Sequence, residues 1–277
     1  MKEVGPETRH VLAAAHALVR LDDGTIVGDP MEKTTLEALG WQLKSSDNVR
    51  PIPAGDDAAS AVVAHKASLN IRRRFQFSSA LKRMSTVSAL QHGKTLACVK
   101  GAPETIKAML CTVPSWYDET FKWYTRRGSR VLALAFKEMH GLNFDKVRLS
   151  DDSPLSKSAH IHMQINHLRR DQVESDLTFA GFLVFHCPLK EDAVETLKML
   201  ADSSHRCIMI TGDNPLTAVH VAKEVEIVDR DTLILDLREN PSHPGGRFES
   251  LRYIEVSGLT NHQTLSGRLS TTLGLSQ

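Results

Sequence analysis

The pattern of apolar and polar positions changes near residue 177, and it predicts two regions of different architecture. Before that point, helical periods are interspersed with short, strand-like apolar runs. After it, strands predicted at 177–185, 206–210 and 232–236 alternate with helices predicted at 190–202 and 215–225. Such alternation is typical of parallel, doubly wound α/β structure.

Two helices are predicted near the N-terminus. Residues 11–19 form an alanine-rich run with helical period, which suits a helix buried against a sheet. The second helix has signals for both ends: Asp29 can cap it, Pro30 suits its first position and Gly40 follows its last periodic residue. Glu32 stands three residues after Asp29, which is the spacing of a capping box.

The following segment combines a predicted surface loop with a predicted sheet. Residues 44–60 are rich in Ser, Pro, Gly and Asp, which is the composition of a loop. Three short strand candidates then lie close enough along the chain to pair as an antiparallel meander, at 75–79, 84–90 and 95–100. Further elements are predicted as helices at 103–111 and 117–127 and as an apolar strand at 130–136. Residues 141–176 are polar, and no element is predicted there.

Composition excludes several partners and compartments. A chain of 277 residues can form one large domain or two ordinary ones. With 34 basic and 33 acidic residues, no overall field attracts nucleic acid or anionic lipid, so no nucleic-acid partner is expected. The four cysteines lack a Cys-x-x-Cys spacing and are expected to be reduced, cytosolic thiols. The longest apolar stretch, 177–185, is about half the length of a spanning helix, so we expect a soluble chain without a transmembrane segment.

The familiar phosphate-binding and nucleophile signatures are incomplete. Gly93-Lys94-Thr95 resembles the end of a P-loop, but Ser88 stands where the first glycine of that motif belongs. The strings Gly-x-Gly-x-x-Gly and Gly-x-Ser-x-Gly do not occur, and no kinase catalytic-loop string is present. These observations argue against P-loop enzymes, kinases, dinucleotide dehydrogenases and serine hydrolases.

Two other motifs carry a family resemblance. Residues 211–218 read Thr-Gly-Asp-Asn-Pro-Leu-Thr-Ala, and residues 100–104, about a hundred positions earlier, read Lys-Gly-Ala-Pro-Glu. In this order the two strings resemble the cytosolic ATP-handling part of P-type ATPases. Phe-Ser-Ser-Ala-Leu-Lys-Arg-Met at 77–84, and Cys-Pro-Leu-Lys at 187–190 where most of the family has Asp-Pro-Pro-Arg, are similar to the type-five subclass A members. That subclass acts in the endoplasmic reticulum, where it extracts misplaced transmembrane helices.

The resemblance implies a domain organisation and a location. Residues 1–186 are expected to form an α+β nucleotide-binding domain, an antiparallel sheet flanked by helices. Residues 187–240 are expected to form an incomplete α/β phosphorylation domain of the haloacid-dehalogenase-like (Rossmann-like) type, and residues 241–277 an unassigned tail. The parent protein is expected at the endoplasmic reticulum membrane, with this chain on the cytosolic face and the missing membrane and phosphorylation-domain segments as its partners.

The same resemblance implies a nucleotide site. Six residues are carried over as ATP contacts: Phe77, Lys100, Gly101, Glu32, Lys82 and Arg130. Adenine is expected to stack on Phe77, with the Lys100 ammonium at the pocket floor and Gly101 allowing close backbone approach. Glu32 is expected beside the adenine, although pure helix capping remains open for it. For Phe77 the alternative is an ordinary core residue, and for Lys82 and Arg130 a solvated surface charge.

The resemblance also implies a phosphoryl-transfer side without its nucleophile. Thr211 and Asp213 stand where a strand is expected to meet a helix, the place at which α/β sheets bind ligands, and Lys190 matches the basic residue that ends the family's hinge. The family's nucleophile string, Asp-Lys-Thr-Gly-Thr, does not occur in the chain. We therefore expect the chain to bind ATP, with Mg²⁺ arriving on the nucleotide, and not to hydrolyse it. No metal-ligating residues of its own are predicted.

Three interpretations follow from these residues. The first is a fragment or truncated form of a type-five A P-type ATPase, and the second is a non-catalytic nucleotide-sensing or interaction protein derived from such a domain. A third, a phosphatase-like enzyme of the haloacid dehalogenase type, needs an Asp-x-Asp nucleophile string and is set aside because none is identified.

Overall fold

The computed structural model describes residues 4–55, 57–90, 93–140, 165, 167–230, 232–238 and 250–255. The chain divides into two compact units, Met1–Cys187 and Pro188–Gln277. No helix in the described ranges is both long enough and apolar enough to cross a membrane.

Helices and short strands of the first unit flank one large sheet. The helices are α1 (Pro6–Ala14), α2 (Pro30–Leu39), α3 (Ala58–Lys66), α4 (Pro103–Lys107), α5 (Tyr117–Thr125) and α6 (Arg170–Val173). Strands β1 (Val19–Arg20) and β2 (Ile26–Val27) form a small separate hairpin.

The large sheet contains seven antiparallel strands in chain order. They are β3 (Trp41–Ser45), β4 (Asn48–Pro51), β5 (Leu69–Ser78), β6 (Arg83–Leu90), β7 (Thr95–Gly101), β8 (Arg130–Glu138) and β9 (Thr178–Phe185). Within it Lys100 of β7 lies opposite Met84 of β6 on one side and Leu134 of β8 on the other. An antiparallel sheet flanked by helices is what the sequence predicts for this region, so the α+β assignment is confirmed.

Apolar side chains cover both faces of this sheet. Strand β6 shows this most clearly, because residues 84–89 are all buried. Cys98 and Val99 are neighbours on β7 and therefore point to opposite faces. Cys98 shares one core with Val11 of α1, whereas Val99 shares another with Tyr117 of α5. Helices α1 and α5 thus belong to opposite sides of the sheet.

Helix α2 begins and ends where its sequence signals predict. The Asp29 carboxylate accepts a hydrogen bond of 2.7 Å from the Met31 amide, and Pro30 occupies the first turn. Gly40 ends the helix in the left-handed conformation, with φ of +70°. This conformation is open to glycine and strained for most other residues.

One sequence prediction in the first unit is wrong, and the bounds of another are shifted. Residues 44–60 do not form a single loop, because they contain strand β4 and the start of α3. Leu43 and Val49 pair across the β3–β4 hairpin with no exposed surface, so a buried apolar pair overrides the polar composition around it. The helix predicted at 11–19 is present as α1, but it occupies Pro6–Ala14 and shares only residues 11–14 with the prediction, and Val19 belongs to β1.

The second unit contains two helices and one hairpin among its described residues. They are α7 (Ala193–Asp202), α8 (Pro215–Glu224), β10 (Leu233–Arg238) and β11 (Ser250–Glu255), with β10 and β11 antiparallel. The predicted helices at 190–202 and 215–225 are therefore present. Most of the predicted C-terminal tail, 241–277, lies outside the described residues.

The predicted parallel sheet is not observed in the described ranges. The run 206–210 forms no strand, and its Ile208 and Ile210 are 72% and 94% exposed. A strand needs a hydrogen-bonding neighbour, and the described part of the chain places none beside this run. Strand β9, predicted to open the alternating region, instead pairs antiparallel with β8 in the large sheet.

Candidate functional site

A cavity of about 200 Å³ lies in the first unit. Five of the six residues carried over as ATP contacts line it: Glu32, Phe77, Lys100, Gly101 and Arg130. The remaining walls are mostly apolar and include Met31, Met84, Leu132, Leu183 and Phe185. The volume is below the range of about 300–1,000 Å³ typical of drug-sized ligands, so the space suits one heterocyclic ring system.

Glu32 and Lys100 form an ion pair in the wall of this cavity. Lys100 Nζ lies 2.7 Å from Glu32 Oε1, and the two side chains are 13% and 10% exposed, respectively. The other carboxylate oxygen, Oε2, accepts a hydrogen bond of 2.8 Å from the Ala17 amide. Both oxygens are thus held, one by a strand and one by the segment after α1.

These contacts show that Glu32 is not a capping-box residue. Asp29 caps α2 by its own side chain, while the Glu32 carboxylate is turned towards Lys100 and Ala17. The capping alternative for Glu32 is therefore wrong. Its position in the first turn of α2 still favours a negative charge there, because the helix dipole is positive at that end.

Phe77 is not a core residue, so the alternative interpretation of this residue is wrong. The side chain lies near the end of β5, lines the cavity and is 59% exposed. An aromatic ring held open beside a cavity can stack on a planar ligand. Phe77 and Lys100, separated along the chain by 23 positions, are brought to the same cavity by the β5–β6–β7 meander.

Gly101 lines the cavity, and its lack of a side chain also has a reason within the fold. A Cβ atom at this position would stand 2.6 Å from the Lys82 carbonyl oxygen and 3.0 Å from Arg83 Cα. The backbone of the β5–β6 turn occupies the space that a side chain would need. Close approach is thus required by the neighbouring turn, whether or not a ligand is bound.

Lys82 is the one predicted ATP contact that the structure leaves outside the cavity lining. It is exposed, with φ of +50°, in the turn between β5 and β6. Its carbonyl oxygen accepts a hydrogen bond of 2.9 Å from the Ala102 amide. In the structure, the backbone carbonyl of Lys82 holds the β5–β6 turn next to Gly101.

The three residues predicted on the phosphoryl side lie in the second unit, in two separate turns. Thr211 Oγ1 donates to Asp213 Oδ2 at 3.3 Å and accepts from the Asp213 amide at 3.1 Å. Asn214 then caps α8 by accepting a hydrogen bond of 2.9 Å from the Leu216 amide. Lys190 is exposed, and its carbonyl accepts a hydrogen bond from the Ala193 amide at the start of α7.

His16 belongs to the surroundings of the cavity, and the sequence reasoning missed it. Its side chain is 2% exposed, and its Nδ1 accepts a hydrogen bond of 3.1 Å from the Leu18 amide. Burial, together with the charges of Arg74 and Lys100, lowers the pKa of His16 to about 3, so the ring is neutral. The available signal was a single polar residue within the alanine-rich run at 13–17.

The chain contains one Asp-x-Asp string that the sequence reasoning also passed over, at 229–231. Asp229 is exposed and paired with its neighbour Arg230, and Asp231 lies outside the described residues. The string comes after α8 and precedes β10, so it does not follow a strand as a nucleophile at the carboxyl end of a sheet does. The phosphatase interpretation gains no support from it.

No cluster of three or more His, Cys, Asp or Glu side chains in the described ranges is arranged to hold a metal ion.

No protein-family model matches the chain. It is 52% identical over 243 residues to the endoplasmic reticulum transmembrane helix translocase spfA of Aspergillus fumigatus. It is 53% identical over 235 residues to the endoplasmic reticulum transmembrane helix translocase of Saccharomyces cerevisiae, and 43% identical over 235 residues to the probable manganese-transporting ATPase PDR2 of Arabidopsis thaliana. These matches cover 84%, 84% and 85% of this chain and 17% of each relative.

Together with the α+β fold and its cavity, the matches define the class: the chain corresponds to part of a P-type ATPase. More narrowly, it belongs to the type-five group of that family. It spans about one sixth (17%) of the length of these curated relatives.

Proposed function

We propose that this chain is the ATP-binding cytosolic portion of a type-five A P-type ATPase, a translocase of the endoplasmic reticulum membrane. The observation that carries the proposal is that Phe77, Glu32 and Lys100 line one cavity. The relatives' names supply the membrane and the translocase activity, which we propose for the parent protein.

The cavity fits an adenine ring by its size and its chemistry. The exposed Phe77 ring offers a stacking surface, and the apolar walls around Met84 and Leu132 suit the second face of a base. Glu32 offers carboxylate lone pairs to an exocyclic amino group. Lys100 and Arg130 supply positive charge in the lining of the same cavity, which favours a nucleotide carrying negative charge.

Binding is expected to be weak in this chain alone. One stacked ring and one or two partly solvated charge contacts contribute about 1–3 kcal/mol each. We take roughly 4–5.5 kcal/mol as the net binding free energy once the entropy lost on association is subtracted. This corresponds to a Kd of about 0.1–1 mM. In the parent protein, we propose, further segments close over the phosphates and tighten binding.

For residues 187–240 we propose an incomplete phosphorylation domain of the haloacid-dehalogenase-like type. Residues 207–210 are an apolar segment with Ile208 and Ile210 largely exposed, and the segment has no strand partner among the described residues. We propose that a strand from the parent protein pairs with it and brings the phosphorylated aspartate beside Thr211 and Asp213, with Lys190 close by. Mg²⁺ is expected to arrive with the nucleotide and to be held there by the parent's carboxylates.

The function is tested by titrating the full chain with Mg·ATP and following backbone amide signals by NMR. We expect shifts concentrated around Phe77, Lys100 and Glu32, together with no phosphate release above the buffer rate. Saturating ATP without shifts at these residues refutes the adenine site. Phosphate release by the purified chain refutes the assignment of a non-hydrolysing portion.

A further inference from the structure

His16 holds the backbone that holds Glu32. The ring is neutral and its Nδ1 accepts a hydrogen bond from the Leu18 amide, so the ring proton sits on Nε2. Ala17 lies between these two residues, and its amide donates a hydrogen bond of 2.8 Å to Glu32 Oε2. The His16 ring therefore fixes the turn formed by residues 16–18, and the Ala17 N–H in the middle of that turn orients the Glu32 carboxylate.

The same turn is anchored on its other side. The His16 carbonyl accepts a hydrogen bond of 3.2 Å from Nε of Arg74, a residue of β5. Lys100 of β7 contacts the other oxygen of Glu32, so the carboxylate is held by a strand on one side and by the 16–18 turn on the other. That turn is itself held by two hydrogen bonds, one to His16 Nδ1 and one from Arg74. A carboxylate fixed in this way keeps its remaining lone pairs in set directions, so a ligand need not order the side chain when it binds.

We infer that His16 is a positioning residue for the cavity: by accepting from the Leu18 amide it sets the Ala17 N–H, and through it Glu32, to recognise the 6-amino group of adenine. The inference rests on the proposed function for its ligand, but the positioning itself exists in the ligand-free chain. A guanine base presents a carbonyl oxygen where adenine has its amino group, and that oxygen faces an oriented carboxylate unfavourably. The chain should therefore prefer ATP to GTP because Glu32 is held in place.

Two substitutions of His16 distinguish the effect of a hydrogen-bond acceptor at Nδ1 from the effect of any polar side chain at this position. His16→Asn keeps a hydrogen-bond acceptor at the position of Nδ1, whereas His16→Gln keeps a polar group at the position of Nε2 and loses that acceptor. In the full chain without ligand, we expect the Ala17 amide to exchange about fivefold faster in His16→Gln than in the wild type, and at the wild-type rate in His16→Asn. Circular dichroism shows whether each variant is folded.

Calorimetric titration of the same proteins with ATP and with GTP gives the second readout. We expect the wild type and His16→Asn to bind ATP about fivefold more tightly than GTP, and His16→Gln to lose most of this preference. Equal Ala17 exchange in folded His16→Gln and wild type overturns the positioning role, whatever the nucleotide affinity. Absence of ATP binding by the wild type, with Ala17 exchange still dependent on the His16 acceptor, overturns the proposed function alone.

A measurement on the wild type needs no variant. The ¹⁵N shifts of the His16 ring report which nitrogen carries the proton. We expect a protonated Nε2 and an unprotonated Nδ1 at pH 7. A protonated Nδ1 overturns the inference, because that nitrogen then cannot accept from the Leu18 amide.

Discussion

Lys100 and Glu32 meet at 2.7 Å in the cavity wall, with about nine-tenths of each side chain removed from solvent. The pair joins a central strand of the sheet to the first turn of α2. Two charges withdrawn from water in this way depend on each other, because either one alone would be left buried without compensation. The stability of the fold and the ligand recognition that we propose therefore depend on the same contact.

Lys100→Met is expected to destabilise the fold by about 3 kcal/mol, since it leaves the Glu32 carboxylate without its counter-charge. Urea unfolding followed by circular dichroism measures the change. The matched control is Lys94→Met, because Lys94 pairs with Glu138 at the surface, where the two side chains are 62% and 41% exposed. The control should cost less than about 1 kcal/mol.

Combining Lys100→Met with Glu32→Gln should recover part of that loss, because no unpaired charge then remains in the cavity wall. Equal losses for Lys100→Met and Lys94→Met, or strictly additive effects of Lys100→Met and Glu32→Gln, contradict the buried character of the pair.

Gly101→Ala is expected to destabilise the first unit by about 1–3 kcal/mol. Its Cβ atom would stand 2.6 Å from the Lys82 carbonyl oxygen, and backbone cannot move aside as a flexible side chain does. Gly5→Ala is the control, since a Cβ atom there approaches nothing closer than 3.8 Å. Thermal unfolding of both variants checks the expectation, and a neutral Gly101→Ala contradicts the close approach of the β5–β6 turn.

Stability should fall with acidification partly because of His16. In the folded chain burial and the nearby Arg74 and Lys100 lower its pKa to about 3 from 6.5, with only Asp47 acting in the opposite direction. Between these two values the unfolded chain binds a proton that the folded chain does not. The free energy of unfolding therefore decreases as pH falls from about 6.5, by up to about 1.4 kcal/mol per pH unit.

His16→Asn removes this titration, so the variant should lose less stability between pH 6.5 and pH 4.5 than the wild type does. Urea unfolding at a series of pH values measures both slopes. Identical slopes would mean that His16 titrates alike in the folded and unfolded chains.

The second unit is expected to open locally at lower free energy than the large sheet. Helix α7 has no buried residue among its ten, and Ile208 and Ile210 are largely exposed. Few buried contacts give little protection against opening. Hydrogen exchange by mass spectrometry should show faster exchange at 193–224 than at β6–β8, and uniform protection across both regions contradicts this expectation.

Local signals predicted the elements that depend on local chemistry. Asp29 and Gly40 set the ends of α2 because a cap and a left-handed residue act within one turn of chain. Strands β6 and β7 were predictable because each is a short run that contains apolar and β-branched residues and lies next to turn residues. The candidate adenine site followed from motif resemblance, and the structure brings five of its six residues to one cavity.

The sequence did not reveal features that depend on contacts formed only in the folded chain. The run 206–210, apolar from Cys207 onwards, has the composition of a strand, yet a strand exists only beside a partner. Glu32 fits a capping box by spacing, and only the fold reveals that Ala17 and Lys100 hold its carboxylate instead. His16 gave no motif, since its role arises from an amide two residues away and from Arg74 on another strand.

The central claim is that Phe77 and Lys100 grip a purine nucleotide in one cavity, and the affinity of Phe77→Ala for ATP tests it most directly. Trp123→Ala is the control, because Trp123 is also an exposed aromatic residue, at 50%, and does not line the cavity. By calorimetry we expect a Kd of about 0.1–1 mM for the wild type and for Trp123→Ala, and binding weakened by at least about fivefold in Phe77→Ala. An unchanged affinity in folded Phe77→Ala contradicts the account.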